Sequence, residues 1–131
     1  MTAFVLDASA GVELLLDTTE GLKIQDQIPA NAEWWTPEHY FVEVSGALRR
    51  ALIHGVVAEA LVHDAFQRLT AAPIHRVQIR PLLNDAWAKR DNLTIADALY
   101  VTLAEHVHAT LVTADMRIVR SPGLSVRTIH P

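Results

Sequence analysis

The amino-acid sequence predicts an α/β fold, in which a parallel sheet is covered by helices on both faces. Short apolar runs alternate along the chain with longer segments of helical periodicity, which is the pattern of parallel sheets. The first run, Ala3–Leu6, is apolar throughout and ends at the polar Asp7, as is typical of a strand buried on both faces. Five glycines and six prolines are scattered, with no linker or repeat. We therefore expect a single domain, residues 1–131.

The first half of the chain is predicted to contain two strands and three helices. Thr36 and Pro37 resemble a helix start, with threonine as the N-cap and proline at the first helical position. Gly55 is expected to end that helix. The predicted elements are a strand over Ala3–Leu6, a helix capped by Ser9 and ending near Leu16, a helix over Glu20–Gln27, a strand over Glu33–Thr36 and a helix ending near His54.

The second half of the chain continues this alternation. Leu61, Ala65 and Leu69 recur at four-residue spacing, which indicates a helix with one apolar face. The predicted elements are a helix over Val57–Leu69, a strand over Ile74–Ile79, a helix over Leu82–Arg90, a helix opened by Thr94 and ending near His106, a strand over Thr110–Thr113, a short helix after Asp115 and a strand over Ser125–Ile129.

The composition excludes several classes of protein. The chain has no cysteine, which rules out disulfides, thiolate metal sites and a cysteine nucleophile. Its apolar runs are far shorter than the ~20 residues of a membrane span, and no secretory signal is visible. We therefore expect a soluble, cytoplasmic protein without a membrane partner. The net charge of -4 argues, at first sight, against a generic nucleic-acid binder.

Two aspartates come at or just after the ends of predicted strands. Asp7 ends the run Ala3–Leu6, and Asp115 follows the strand over Thr110–Thr113. In open α/β sheets, ligands bind beyond the carboxyl ends of the strands, so both side chains are candidates for a functional site. Aspartate after a strand is also a common turn or cap residue, and either residue alone is explained by that role.

Glu43 lies in the middle of a predicted helix without a partner for its charge. Its neighbours at i+3 and i+4 are Gly46 and Ala47, so no cation stands where an ion pair within the helix needs one. The small side chains leave room beside the carboxylate. The alternative interpretation is a glutamate at the edge of the core that reaches solvent beside His39.

Asp97 is the only charged residue between Leu93 and Ala104. It follows Thr94 by three residues, and this spacing resembles a capping box at the start of a helix. An acid in the first turn also interacts favourably with the helix dipole. Capping alone therefore explains Asp97, and the case for function depends on the four acids together.

Four carboxylates at one end of a sheet need a neutralising partner. At 4 Å, two like charges repel by roughly 1 kcal/mol in bulk water and by about 4 kcal/mol at an effective dielectric constant of 20. A proton or a cation relieves that repulsion, and oxygen ligands without cysteine suit Mg²⁺ or Mn²⁺. Such ions activate water for displacement at phosphorus. The pattern therefore predicts phosphodiester hydrolysis.

The four acids lie in short motifs that span nearly the whole chain. These are Val-Leu-Asp7-Ala-Ser9, Val-Glu43-Val, Ala-Asp97-Ala-Leu-Tyr-Val-Thr-Leu-Ala-Glu and Leu-Val-Thr113-Ala-Asp115. In order and spacing they resemble the PIN-domain nucleases, and among them the VapC-type ribonuclease toxins of bacterial toxin–antitoxin pairs. Each motif alone is a weak signal, whereas the four in order are fairly specific. The segment from Gly55 to Asn92 carries no diagnostic motif.

The resemblance implies a three-layer α/β/α fold with a five-stranded parallel sheet in the order 3-2-1-4-5. It implies an endoribonuclease, with Mg²⁺ or Mn²⁺ as cofactor, that hydrolyses RNA to leave a 3′-hydroxyl and a 5′-phosphate. A cognate antitoxin protein and a homodimer are the implied partners. By the same resemblance the metal-holding and catalytic residues are Asp7, Glu43, Asp97 and Asp115, with Ser9 and Thr113 orienting the acids or their waters.

The charge balance changes once four acids are assigned to a cation site. Eleven acidic residues then stand against eleven basic ones, so the remaining surface need not repel RNA. Arg50 and Arg117 lie beyond Glu43 and Asp115 in sequence, and we expect them to contact the substrate, because arginine binds phosphate well. Solvated surface arginines are the alternative.

Other signals in the sequence favour structural roles. His106 and His108 are interpreted as surface residues at a helix C-terminus, and Trp34 and Trp35 as core or interface residues. A phosphatase with Asp7 as nucleophile is disfavoured because Ser9 stands where that class has a second aspartate. A receiver-like module is disfavoured because the sequence lacks the acidic pair that this class carries. A PIN fold that binds RNA or antitoxin without turnover remains open.

Overall fold

Five parallel strands form the sheet at the centre of the molecule. The computed structural model describes residues 2–131. Its strands lie in the order β3-β2-β1-β4-β5, and β1 pairs with β2 on one side and with β4 on the other. The strands are β1 (Ala3–Leu6), β2 (Glu33–Pro37), β3 (His75–Val77), β4 (Thr110–Val112) and β5 (Thr128–Ile129). The predicted class and strand order are confirmed.

Seven α-helices and one 3₁₀ turn surround the sheet within residues 2–131. α1 packs against α2, α3 and α4, while α6 packs against β1, β2 and β4. This arrangement confirms the three-layer α/β/α fold. The helices are α1 (Ala8–Leu15), α2 (Thr19–Gln25), α3 (Tyr40–Ile53), α4 (Glu59–Ala71), α5 (Leu83–Trp87), α6 (Ile95–His106) and α7 (Met116–Val119), with the 3₁₀ turn at Arg80–Leu82.

A large part of the core lies between the central strands and α6. Val5, Leu111 and Val112 are fully buried, and seven consecutive residues of α6, from Ala98 to Ala104, are buried as well. A helix that is buried on nearly all sides must be apolar all round. This explains why the sequence between Leu93 and Ala104 tolerates a single charge, at Asp97.

The signals that end α3 and begin α6 operate as predicted. Gly55 adopts a φ of 65° directly after α3, a conformation that glycine enters without steric cost. At the start of α6 the Thr94 hydroxyl accepts a hydrogen bond from the Asp97 backbone N–H at 3.2 Å. These two predictions succeed because both caps are local.

Two predicted helix starts were wrong. The N-cap of α1 is Asp7, whose carboxylate accepts a hydrogen bond from the Ala10 N–H at 2.9 Å, so Ser9 already lies inside the helix. Thr36 and Pro37 belong to β2, and α3 begins three residues later. Thr36 is fully buried, and its hydroxyl donates to the Leu6 carbonyl at 2.9 Å, a contact between strands that no local pattern reveals.

Several peripheral elements differ from their predicted bounds. The strand expected over Ile74–Ile79 is limited to β3, and the strand expected over Ser125–Ile129 is limited to β5. Both lie at the edges of the sheet, where pairing exists on one side only. The helix expected over Leu82–Arg90 is divided into the 3₁₀ turn and α5, and α4 begins and ends two residues later than expected.

The helices of the fold are short compared with a membrane span. Within residues 2–131, no helix has both the length and the apolar composition needed to cross a bilayer.

Candidate active site

The four predicted acids line one cleft of about 590 Å³. Asp7 and Asp115 follow β1 and β4, two neighbouring strands whose carboxyl ends meet at one edge of the sheet. Glu43 comes from the first turn of α3 and Asp97 from the first turn of α6. The remaining lining residues are Ala8, Ser9, Val12, Glu13, Ala47, Arg50, Tyr100, Ala114, Met116 and Arg117.

Asp7 is the buried centre of the site. It is 2% exposed, and its carboxylate accepts hydrogen bonds from the Ser9 hydroxyl at 2.7 Å and from the Thr113 hydroxyl at 2.5 Å. Burial raises the pKa of Asp7 to about 6, and the negative charge of Asp97 adds to the effect. The carboxylate is therefore held in place by neutral donors, and no basic side chain among residues 2–131 pairs with it.

Ser9 and Thr113 also connect Asp7 to the loop after β4. The Ser9 hydroxyl accepts from the Ala114 N–H at 2.9 Å, and the Thr113 hydroxyl accepts from the Asp115 N–H at 3.0 Å. Each hydroxyl thus donates to Asp7 and accepts from the backbone of that loop. This network fixes the two strand-end acids relative to each other.

Glu43 is held by an aromatic residue that the sequence analysis did not single out. The Tyr100 hydroxyl donates to Glu43 Oε1 at 2.6 Å, and His39 Nε2 lies 3.6 Å from the same oxygen. Burial first, and then the hydrogen bond to Glu43, raise the pKa of Tyr100 far above its usual value. Tyr100 follows Asp97 by three residues, and such neighbours share a helix face. This spacing could have predicted that Tyr100 lies beside the acids.

Asp97 and Asp115 differ in their surroundings. Burial, and then the negative charges of Asp115 and Glu43, raise the pKa of Asp97 against the opposing effects of Thr94 and Arg117. Asp115 accepts from the Arg117 guanidinium at 2.7 and 3.1 Å, and this contact lowers the pKa of Asp115. One acid therefore faces like charges, and the other has its own cation.

The comparison with known proteins identifies the family. The sequence pattern of the PIN domain matches residues 4–124. The chain belongs to the PIN domain family. Ribonuclease VapC3 of Mycobacterium tuberculosis is 38% identical over 117 residues, which cover 89% of this chain and 85% of that protein. Ribonuclease VapC12 of the same species is 34% identical over 119 residues, covering 91% and 92%. The resemblance to VapC-type PIN domains is thereby confirmed.

Solved PIN-domain structures have the same fold. PAE2754 from Pyrobaculum aerophilum superposes with a TM-score of 0.65 at 20% identity, covering 97% of this chain and 83% of that one. VapC20 of Mycobacterium tuberculosis, described as a toxin that cleaves the sarcin-ricin loop, superposes with a TM-score of 0.62 at 16% identity, covering 86% and 89%. At these identities the likeness concerns the fold.

The donor atoms of this PIN-domain cleft fit a hard divalent cation. The four carboxylates and the Ser9 and Thr113 hydroxyls supply oxygen ligands only, the type that Mg²⁺ and Mn²⁺ prefer. Within residues 2–131, however, no three aspartate, glutamate or histidine side chains stand close enough together to hold an ion as they are. A cation in this cleft would have to be held partly through water, or after side-chain rearrangement.

The two arginines predicted to contact substrate also line the cleft. The Arg117 side chain is 86% exposed while it pairs with Asp115, and Arg50 is exposed on α3. Both residues therefore line the same cleft as the four acids. Their contact with substrate stays a prediction.

The remaining signals of the sequence lie outside the cleft. His106 Nε2 pairs with Asp85 at 2.7 Å on the surface, and His108 lines a different cavity. Trp34 packs against Phe4 with ring centroids 5.7 Å apart, and Trp35 stacks on His75 at 4.4 Å. All four side chains have the structural surroundings that were predicted for them.

Proposed function

We propose that this PIN-domain chain is a Mg²⁺- or Mn²⁺-dependent endoribonuclease, the toxin of a toxin–antitoxin pair. The observation that carries the proposal is the convergence of Asp7, Glu43, Asp97 and Asp115 on one cleft. Two of these acids have a pKa that is raised first by burial and further by the charge of neighbouring acids, and a divalent cation would stabilise their charged forms. The relatives at 38% and 34% identity are named ribonucleases.

The carboxylates would hold the cation, directly or through water. When bound, the cation supplies a water of lowered pKa and stabilises the leaving oxygen of an in-line displacement at phosphorus. The chain's own residues position these parts. Ser9 and Thr113 fix the Asp7 carboxylate, and the backbone of Ala114 and Asp115 is tied to the same hydroxyls.

Substrate binding is assigned to the two arginines of the cleft. Arg50 and Arg117 stand beside the acids, and guanidinium groups bind phosphate through paired hydrogen bonds. Arg117 is already paired with Asp115. An arriving phosphate would therefore compete with Asp115 for the guanidinium, and Asp115 would then be free to serve as one of the acids that hold the cation.

The proposed partners are RNA, a cognate antitoxin and a second copy of the chain. Structures of similar fold include VapBC toxin–antitoxin assemblies from Rickettsia felis and nontypeable Haemophilus influenzae, with TM-scores of 0.62 and 0.60. Affinity capture of the tagged chain from its native host is expected to recover a small antitoxin. Capture that recovers no small partner would argue against the toxin–antitoxin assignment.

An alternative function is binding of RNA or antitoxin without cleavage. It is favoured by one observation: within residues 2–131 the acids do not form a ready three-residue metal site. Glu43 and Asp115 are instead held by Tyr100 and Arg117. A chain of this kind would bind RNA equally well with and without divalent cations and would leave it intact.

Mapping of RNA ends after induction separates the two functions. The intact chain is expected to generate new 5′-phosphate ends at defined positions in cellular RNA. Asp7→Ala should generate none, because the buried acid at the centre of the site is lost. Asp85→Asn serves as the matched control, since Asp85 is a surface acid paired with His106 outside the cleft. Identical end maps for the intact chain and Asp7→Ala would refute the proposal.

A further inference from the structure

Tyr100 is a core residue of α6 whose polar group contacts one of the acids of the cleft. It lies on α6 and is 1% exposed. Its hydroxyl reaches across to α3 and donates to Glu43 Oε1 at 2.6 Å. The hydroxyl is therefore the point at which the buried helix α6 touches the partly exposed carboxylate of α3.

The tyrosine ring is itself fixed by His39. The two rings have centroids 4.6 Å apart with an interplanar angle of 36°. His39 Nε2 lies 2.9 Å from the Ala96 carbonyl; because a carbonyl only accepts, this nitrogen donates and carries the proton. His39 thus connects the start of α3 to the first turn of α6, and it closes the space beside Tyr100.

Glu43 has little else to hold its side chain. Its i+3 and i+4 neighbours are Gly46 and Ala47, which are too small to pack against a long carboxylate. The side chain is 36% exposed and has three rotatable bonds. The bond from Tyr100 engages Oε1, which leaves Oε2 as the oxygen available to a cation or to water bound to one.

We propose that Tyr100 is a positioning residue that holds Glu43 in the cleft, so that its second carboxylate oxygen is presented to a divalent cation. The inference rests on the proposed function, since it assumes a cation among the four acids. Groups that orient metal ligands by hydrogen bonds typically change metal affinity or activity by about 10- to 100-fold when removed. Tyr100 acts through Glu43 alone and is expected at the lower end.

The test compares Tyr100→Phe with Tyr40→Phe by calorimetric titration of Mn²⁺. Both substitutions remove one hydroxyl from a buried tyrosine. Tyr40 is 3% exposed and lines the apolar cavity instead of the acidic cleft, and the charge of Asp7 acts on it only at a distance. We expect Tyr100→Phe to weaken Mn²⁺ binding by about 10-fold, and Tyr40→Phe to leave it unchanged. RNA cleavage by Tyr100→Phe should need more Mn²⁺ for half-maximal rate and recover most of its rate at saturation.

A second variant, Glu43→Asp, tests whether Tyr100 acts through Glu43. Glu43→Asp retains a carboxylate but shortens it away from the hydroxyl, and it changes no buried residue. Mn²⁺ binding to Glu43→Asp should be weaker than to the wild type, and adding Tyr100→Phe should weaken it no further, since the contact is already lost. An equal further loss in that background would overturn the inference, because Tyr100 would then not act through Glu43.

The remaining outcomes separate this inference from the proposed function. Cleavage that depends on Mn²⁺ together with an unchanged Mn²⁺ affinity in Tyr100→Phe overturns the role of Tyr100 alone. If the wild-type chain cuts no RNA but Tyr100→Phe still weakens Mn²⁺ binding, the role of Tyr100 is supported and the nuclease function is refuted. A wild-type chain that binds no Mn²⁺ refutes both.

Discussion

The inner and outer walls of the cleft hold their carboxylates in opposite ways. On the inner wall Asp7 is 2% exposed and accepts from neutral hydroxyls, and its pKa is raised to about 6. On the outer wall the Asp115 side chain is 19% exposed and pairs with a nearly fully exposed Arg117, so its pKa is lowered. The inner acid is fixed by the fold, whereas the outer acid can change partners.

The difference suggests how a folded protein prepares a cation site. The buried acid is costly to ionise, and burial is the largest cause of its raised pKa. Asp115 already has a cation, the exposed Arg117 guanidinium, which water and phosphate can displace because ion pairs of exposed side chains are weak. We infer that a bound cation would stabilise the charged form of the buried Asp7. The Asp115–Arg117 pair, which can separate, would let the cation reach the cleft.

Asp7→Asn tests the inner wall and should have the largest effect. Cleavage should fall below detection, while the apoprotein becomes more stable at neutral pH. The pKa of Asp7 rises from 3.8 to about 6 on folding, so folding favours the protonated acid. The wild type should lose up to about 3 kcal/mol relative to the variant as the pH rises through that interval. Asparagine keeps the N-cap function.

The measurement for Asp7→Asn is urea unfolding in EDTA from pH 3.5 to pH 7.5. Asp115→Asn provides the comparison, because the lowered pKa of Asp115 means that its contribution is present above its unfolded pKa and is lost on acidification. The two variants should therefore show opposite pH trends relative to the wild type. Parallel trends would contradict the distinction between the walls.

Asp97→Asn tests the acid that faces like charges, with a smaller effect on stability. Cleavage should be abolished. The change in unfolding free energy should stay within about 1 kcal/mol, since the loss of a first-turn acid at the helix start is offset by relief from the charges of Asp115 and Glu43. Thermal unfolding with Asp85→Asn as control checks this, and a fall of many degrees would favour a purely structural role for Asp97.

Arg117→Ala tests the outer wall and should have the smallest effect. The thermal midpoint should not change measurably, because the Arg117 side chain is exposed. RNA binding in EDTA should weaken, and the slope of log affinity against log salt should decrease by about 0.7, the loss of one phosphate contact on a single strand. Arg127→Ala is the control, since Arg127 lines a different cavity. Equal slopes for both variants would remove Arg117 from the RNA path.

The sequence predicted those features that depend on local order. The acids at strand ends, the Thr94 cap and the Gly55 stop each involve a few consecutive residues, and all are found where expected. The four motifs also indicated the family, because their order and spacing along the chain resemble those of PIN-domain nucleases. Residues 1–131 as one domain stays a prediction.

Features that depend on contacts between distant elements were missed. Thr36 was mistaken for a helix cap because its hydrogen bond to the Leu6 carbonyl connects strands thirty residues apart. Tyr100 was read as part of a motif, without its contact to Glu43 on another helix. The pairing of Arg117 with Asp115 was missed for another reason. Asp115 was assigned to the cation and Arg117 to the substrate, so a contact between the two was not considered.

The central claim is that the carboxylates work through a divalent cation. The most direct measurement is cleavage of a defined RNA by the purified chain in excess EDTA, followed by titration with Mg²⁺ or Mn²⁺. We expect no cleavage in EDTA and recovery on addition of either ion, with a parallel rise in the thermal midpoint as the ion binds the folded chain. Cleavage that continues unchanged in excess EDTA would contradict it.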